Sequence, residues 1–169
     1  MTNNGFQGKV ALITGANKGL GLEMSRQLGQ QGFLTLIAAR NLQAAETAAN
    51  TLNSEGLKTS AIELDVTKSD LIQAAVAEID KKFGKLDVLI NNAGVMLDGE
   101  WSISNASSVS QEILQQTFKT NFFALVELTQ ALIPLILKSS SGRIVNMASI
   151  EGSLTLHADP NSFIYDSKP

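Results

Sequence analysis

The residues best suited to chemistry come early, in Thr14-Gly15-Ala16-Asn17-Lys18-Gly19-Leu20-Gly21, directly after the apolar run Val10-Ala11-Leu12-Ile13. A buried strand that ends in a glycine-rich turn and opens a helix is an arrangement for holding phosphate. In it Gly15 takes the positive φ of the turn, Gly19 lets backbone approach a ligand, and Gly21 lets the helix pack close to the strand. The N–H groups of the first helical turn, aligned with the helix dipole, suit a pyrophosphate. The spacing is G-x-x-x-G-x-G, a variant of the commoner G-x-G-x-x-G, and a purely structural turn would use the same letters.

Five later residues sit where apolar runs stop or are interrupted. Arg40 closes the run Leu34–Ala39, 40 − 21 = 19 positions beyond the last glycine. An acidic side chain at such a strand end accepts hydrogen bonds from a ribose 2′-OH. A guanidinium pairs instead with a 2′-phosphate, and Lys18 offers a second positive charge, so NADP(H) is favoured over NAD(H). The alternative is a pair of solvated surface cations. Asp65 and Val66 follow Leu64 at the third strand end, where the carboxylate could equally cap a helix. Asn121 interrupts an apolar helical stretch, a position where an amide needs partners. Ser149 ends the run Ile144-Val145-Asn146-Met147-Ala148, at the carboxyl edge where open α/β sheets bind ligands; a plain turn serine would fit there too.

Taken in order, Thr-Gly-x-x-x-Gly-x-Gly, the strand-end Asp65, Asn91-Asn92-Ala93-Gly94 and the strand-end Ser149 closely resemble the short-chain dehydrogenase/reductase family from about Lys9 onward. Gly-Ala-Asn-Lys-Gly-Leu-Gly with Arg40 is most similar to its carbonyl-reductase-like, NADPH-dependent members. The resemblance implies that Gly15, Asn17, Lys18, Gly19, Leu20, Gly21, Arg40, Asp65, Val66, Asn92, Ala93 and Gly94 bind the cofactor, Asp65 through the adenine amino group. Asn92, Ala93 and Gly94 would lie against the adenine-side ribose and pyrophosphate, while Asn91 and Thr14 tie strands together. It also implies that Ser149 bonds the substrate carbonyl and that Asn121 holds a water in a proton relay. The implied reaction is reduction of an aldehyde or ketone to an alcohol. A non-catalytic NADP-binding module is the alternative.

The family's general acid belongs to Tyr-x-x-x-Lys, two side chains on one helix face. This chain offers only Tyr165-Asp166-Ser167-Lys168-Pro169, with a spacing of 168 − 165 = 3. Pro169 disfavours helix at Lys168, and Asp159-Pro160-Asn161-Ser162 reads as turn. Tyr165 is therefore assigned to an enlarged substrate-side loop. The true pair is expected beyond residue 169, which makes these residues a fragment, inactive by itself.

Positioning these groups requires strands alternating with helices, hence right-handed βαβ units and a parallel sheet. The expectation is an α/β fold, a doubly wound Rossmann-type sheet in three αβα layers, forming one domain over residues 1–169 and truncated after strand five. Leu20, Met24 and Leu28 make the apolar stripe of the first helix. Asn41 caps the second, which turns Leu42, Ala45, Ala49 and Leu52 inward. Thr67-Lys68-Ser69-Asp70 has capping-box form ahead of the helix carrying Ile72, Val76, Ile79 and Phe83. Residues 95–108 read as loop, and one long helix runs from about Ser110 to Lys138, before Gly142 opens strand five.

Composition narrows the classes. With 44% hydrophobic and 17% charged residues the chain is an ordinary globular α/β protein. A net charge of −3 gives no reason to expect nucleic acid or an anionic membrane as partner. Cysteine is absent and His157 is the only histidine, so disulfides and thiolate chemistry are excluded and no metal site is expected. The longest apolar stretch, Ala131 to Leu137, contains Pro134 and is too short to span a bilayer. Met1 to Gly8 lacks the pattern of a signal peptide, and the expected location is cytoplasmic. The expected partner is a small carbonyl substrate, with the oligomeric state left open.

Overall fold

Each strand of the sheet but the last is followed by a crossover that carries the chain back across a face, which is how consecutive strands come to run parallel. The computed structural model describes residues 7–97 and 108–165. Its elements are β1 (Val10–Thr14), α1 (Gly19–Gln30), β2 (Leu34–Ala39), α2 (Leu42–Ser54), β3 (Thr59–Glu63), α3 (Ser69–Phe83) and β4 (Val88–Asn91). Then come α4 (Gln111–Phe118), a π-helical turn (Lys119–Phe123), α5 (Ala124–Ile136), β5 (Arg143–Asn146), a 3-10 turn (Ile150–Gly152) and α6 (Leu154–Ala158). The strands lie in the order β3-β2-β1-β4-β5, all parallel.

β1 is central and buried at all five positions, which is why it reads as an unbroken apolar run. Side chains alternate between the two faces. Val10 and Leu12 join Leu36, Ile62 and Leu89 under α3 and α5, where Ile72, Ile79, Leu128 and Leu132 close the layer. Ala11 and Ile13 join Ile37 under α1 and α2, against Ala45, Ala49 and Leu52. The three-layer α/β arrangement is the one the alternating pattern predicts.

The chain winds outward from β1 through β2 to β3, then returns to place β4 on the other side of β1. That reversal opens a crevice at the carboxyl ends of β1 and β4, where ligands bind in doubly wound sheets. The opposite edge is stapled by Asp87. Its carboxylate accepts from the Val10 N–H at 2.8 Å, the Ser139 hydroxyl at 2.5 Å and Lys85 at 3.1 Å. Its backbone meets the Val10 carbonyl and the Arg143 N–H, both at 2.9 Å. One residue thus joins β1, β4, β5 and the end of α5.

Several local expectations are corrected. The helix predicted over Ser110–Lys138 is broken into α4 and α5 by the π-helical turn around Asn121. Thr67 does not cap α3, because its hydroxyl donates to Asp65 instead, and α3 begins without a side-chain cap. Leu20 and Leu42 are 70% and 40% exposed and belong to neither core. Asn41 does cap α2, its side chain accepting from the Ala44 N–H at 2.9 Å. β5 is one of the two edge strands, and all four of its residues are exposed.

Candidate functional site

The glycine loop joins β1 to α1 across the crevice. Gly15 has φ +63° and its added Cβ would meet the Ala93 Cα at 3.1 Å, so both conformation and space demand glycine. At Gly21 a Cβ would come within 2.6 Å of the Asn92 side chain and 2.7 Å of the Gly15 carbonyl oxygen. Gly19 needs its left-handed φ of +57° and faces open space. No side chain caps α1 and its first turn holds no acidic residue. Its leading N–H groups, with the positive end of the helix dipole, are therefore presented to the cleft.

The cleft has a volume of about 450 Å³. The structure brings Gly15, Asn17, Lys18, Gly19, Leu20, Gly21, Arg40, Asp65, Val66, Asn92, Ala93 and Gly94 together on its wall. Arg40 stands exposed one residue past β2, and Lys18 stands exposed ahead of α1. Asp65 follows β3, and its Oδ1 accepts from the Thr67 N–H at 3.0 Å and the Thr67 hydroxyl at 2.7 Å. Burial alone would raise the Asp65 pKa, but Thr67, Lys68 and Arg40 together hold it below the ordinary carboxylate value.

The Asn-Asn-Ala-Gly segment divides its work. Asn91 donates to the Thr129 hydroxyl at 3.0 Å and to the Asn146 side chain at 2.8 Å, tying β4 to α5 and β5. The Asn92 side chain donates to the Thr14 carbonyl at 2.8 Å. The Thr14 hydroxyl accepts from the Asn92 and Ala93 N–H groups at 3.0 and 2.9 Å, which turns the backbone of Ala93 and Gly94 toward the glycine loop.

Asn121 lies in the π-helical turn rather than in regular helix. Its Oδ1 accepts from the Val95 N–H and its Nδ2 donates to the Val95 carbonyl, both at 2.8 Å. Each amide atom keeps one further hydrogen-bonding position, which is what holding a water requires. Ser149 is exposed beyond β5, and its Oγ accepts from the Glu151 N–H at 3.2 Å. That contact uses a lone pair and leaves the hydroxyl proton to donate elsewhere.

Thr67, Val95 and Thr120 also line or frame the cleft, and the sequence reading did not assign them to it. For Thr67 a signal existed: Asp-x-Thr after a strand is an Asx-turn pattern. Val95 and Thr120 carry none, because their places follow from the fold around Asn121. Tyr165 is described, 43% exposed and in a turn, whereas Lys168 and Pro169 lie outside the described residues. Residues 98–107, within the predicted loop, lie outside them as well. Among the described residues no helix is long and apolar enough to cross a membrane, and no His, Asp or Glu cluster is arranged for a metal.

The chain is 35% identical over 145 residues to the ketoacyl reductase HetN of Nostoc sp., covering 86% of this chain and 49% of that protein. It is also 35% identical to the (-)-isopiperitenone reductase of Mentha piperita, covering 88% of this chain and 59% of the relative. It thus spans about half the length of these curated relatives. Among solved structures, actinorhodin polyketide ketoreductase with NADPH superposes with a TM-score of 0.75 at 32% identity, covering 84% of this chain and 53% of that one. A metagenomic short-chain oxidoreductase in complex with NADP gives a TM-score of 0.76 at 27% identity, covering 86% of this chain and 64% of that one. A model of the short chain dehydrogenase family matches residues 9–161. The glycine loop, the parallel sheet with its switch beside β1, and this match over nearly the whole length agree, and the chain belongs to the short chain dehydrogenase family.

Proposed function

We propose that this chain is the cofactor-binding part of an NADPH-dependent oxidoreductase that reduces an aldehyde or ketone to an alcohol. The observation that carries the reading is the cleft in which the uncapped start of α1 stands beside Lys18 and Arg40. The residues suit the cofactor chemically. Backbone N–H groups at the start of α1 receive the pyrophosphate. Arg40 and Lys18 hold the 2′-phosphate. Asp65, kept ionised and fixed in plane by Thr67, accepts from the adenine amino group. Ala93 and Gly94 offer backbone to the ribose. NADPH, when bound, supplies the hydride. Related reductases, and related structures holding NADPH or NADP, support the same direction.

Ser149 then donates its hydroxyl proton in a hydrogen bond to the substrate carbonyl oxygen and stabilises the charge that grows there. Donation from the Glu151 N–H into Oγ polarises the hydroxyl and strengthens that bond. Asn121 anchors Val95 and keeps hydrogen-bonding capacity for a relay water. The proton itself comes from a tyrosine of a Tyr-x-x-x-Lys pair, which these 169 residues do not contain. We assign that pair to the length that the relatives have and this chain does not span. A second reading, a non-catalytic NADP-binding module, is favoured by the Tyr165 to Lys168 spacing of three.

The test is calorimetric titration of the chain with NADPH and with NADH. The expected result is tighter binding of NADPH by about 2 kcal/mol, the worth of charge-assisted pairing to the 2′-phosphate. Equal dissociation constants overturn the cofactor assignment.

A further inference from the structure

The widened turn around Asn121 brings a second side chain to the cleft. Of the five residues in the π-helical turn Lys119–Phe123, Thr120 is the one on the cleft wall, where it stands with Gly94 and Val95. Asn121 staples the turn to Val95 through two hydrogen bonds of 2.8 Å. A Cβ added to Gly94 would lie 3.4 Å from Asn121 Oδ1, so the turn stands directly against the backbone offered to the cofactor.

The Thr120 hydroxyl is unused. In regular helix a threonine can turn its hydroxyl back to the carbonyl four residues earlier. Thr47 and Thr51 of α2 do so, donating to the Gln43 and Thr47 carbonyls at 2.9 and 3.0 Å. Thr120 makes no such bond, and its hydroxyl has no hydrogen-bond partner among the described residues. In a π-helical turn the backbone bonds span five residues instead of four, which moves the usual carbonyl out of register. Thr120 is half-buried, and a ligand that fills the cleft strips the remaining water from it. That costs binding energy unless the ligand replaces the lost hydrogen bond.

We propose that Thr120 is a further cofactor-binding residue, its hydroxyl bonding an oxygen of the ribose and pyrophosphate stretch to which Ala93 and Gly94 offer backbone. The proposal rests on the NADP(H) reading of this cleft. A hydroxyl suits that stretch, since it donates to phosphate oxygens and both donates to and accepts from ribose hydroxyls. The stretch is common to NADPH and NADH. Thr120 therefore adds affinity for both, whereas Arg40 and Lys18 choose between them.

The test is calorimetric titration of the 169-residue chain, Thr120→Val and Thr120→Ser with NADPH and with NADH. Valine keeps the branched shape and removes the hydroxyl, whereas serine keeps the hydroxyl. Thr120→Val should weaken both cofactors by the same factor, about three- to tenfold, the worth of one uncharged hydrogen bond. Thr120→Ser should stay within about twofold of the unmodified chain. Hydrogen exchange at the Val95 amide is the second readout, because a merely structural role would loosen the Asn121 staple and raise it. It should be unchanged in Thr120→Val. Full affinity in Thr120→Val, an equal loss in Thr120→Ser, a loss for NADPH alone, or faster exchange at Val95 each overturns the proposal. The two ideas fail differently. An unmodified chain that binds neither nucleotide takes the cofactor reading down as well, whereas NADPH bound equally by the chain and Thr120→Val removes only the role of Thr120.

Discussion

Arg40, Lys18 and Asp65 reach one cleft from three separate segments of the chain. Arg40 stands one residue past β2, where the strand end places it on the cleft wall. Asp65 reaches the same cleft from the adjacent strand, and both donors of Thr67 fix its carboxylate. A base and an acid on neighbouring strand ends can thus address different parts of one ligand. Arg40→Asp removes the cation and sets a carboxylate against the 2′-phosphate, so NADPH binding should weaken by about 2 kcal/mol or more while NADH binding holds or improves. Fluorescence titration with both cofactors checks it, and a uniform loss for the two would assign Arg40 a structural part instead.

Among the elements, β1 and β4 carry the site and Asp87 carries their alignment. Burial would raise the Asp87 pKa, but the Ser139 hydroxyl, the Val10 N–H and Lys85 outweigh it and hold the carboxyl below its ordinary value. A group whose pKa is lower folded than unfolded contributes stability that is complete above the ordinary carboxylate range. That stability is lost as pH falls through this range toward the folded value. Asp87→Asn should cost about 1–3 kcal/mol at neutral pH and flatten the acid limb of the stability profile, measured by urea unfolding between pH 3 and pH 7. Thr35 in β2 makes the opposite case, since its hydroxyl is buried without a partner among the described residues. Thr35→Val keeps the shape and removes the unsatisfied group, and should stabilise the chain by about 1 kcal/mol, read as a higher Tm. Much of this level was legible in the sequence, because β1, β2 and β4 announce themselves as apolar runs and the glycines mark the turn. The rest was not, for physical reasons. Thr67 had two competing uses for one hydroxyl, capping α3 or bonding Asp65 two residues back, and the letters alone do not say which one wins. The π-helical turn has no local signal, since Asn121 widens the helix to meet Val95, a residue 26 positions earlier.

Among the described residues, the cleft at β1 stands apart from an exposed apolar flank at β5. Ile144, Val145 and Met147 of the β5 region, and Ile133 and Leu137 in and just after α5, are 39–78% exposed, beside a sheet edge of unpaired backbone. On the proposed function, cofactor binding and catalysis separate in this chain. Apart from Thr120, the groups assigned to the cofactor lie within residues 15–94, close to β1, and owe nothing to that flank. Proton delivery in the proposed reaction depends on a tyrosine held by a lysine on one helix face, and Tyr165, alone among tyrosines, lies in a turn with the nearest following lysine three positions away. General acid catalysis is worth about 10² to 10⁴ in rate, so the chain should bind NADPH yet oxidise it with aldehydes, ketones or quinones at no measurable rate. The assay compares the 169 residues with a longer protein carrying Tyr-x-x-x-Lys, and with Tyr165→Phe in that protein. Robust turnover by the 169 residues would mean that the proton comes from within them. Loss of activity in Tyr165→Phe, with NADPH affinity intact, would make Tyr165 the acid and draw the flank beyond β5 into the active site.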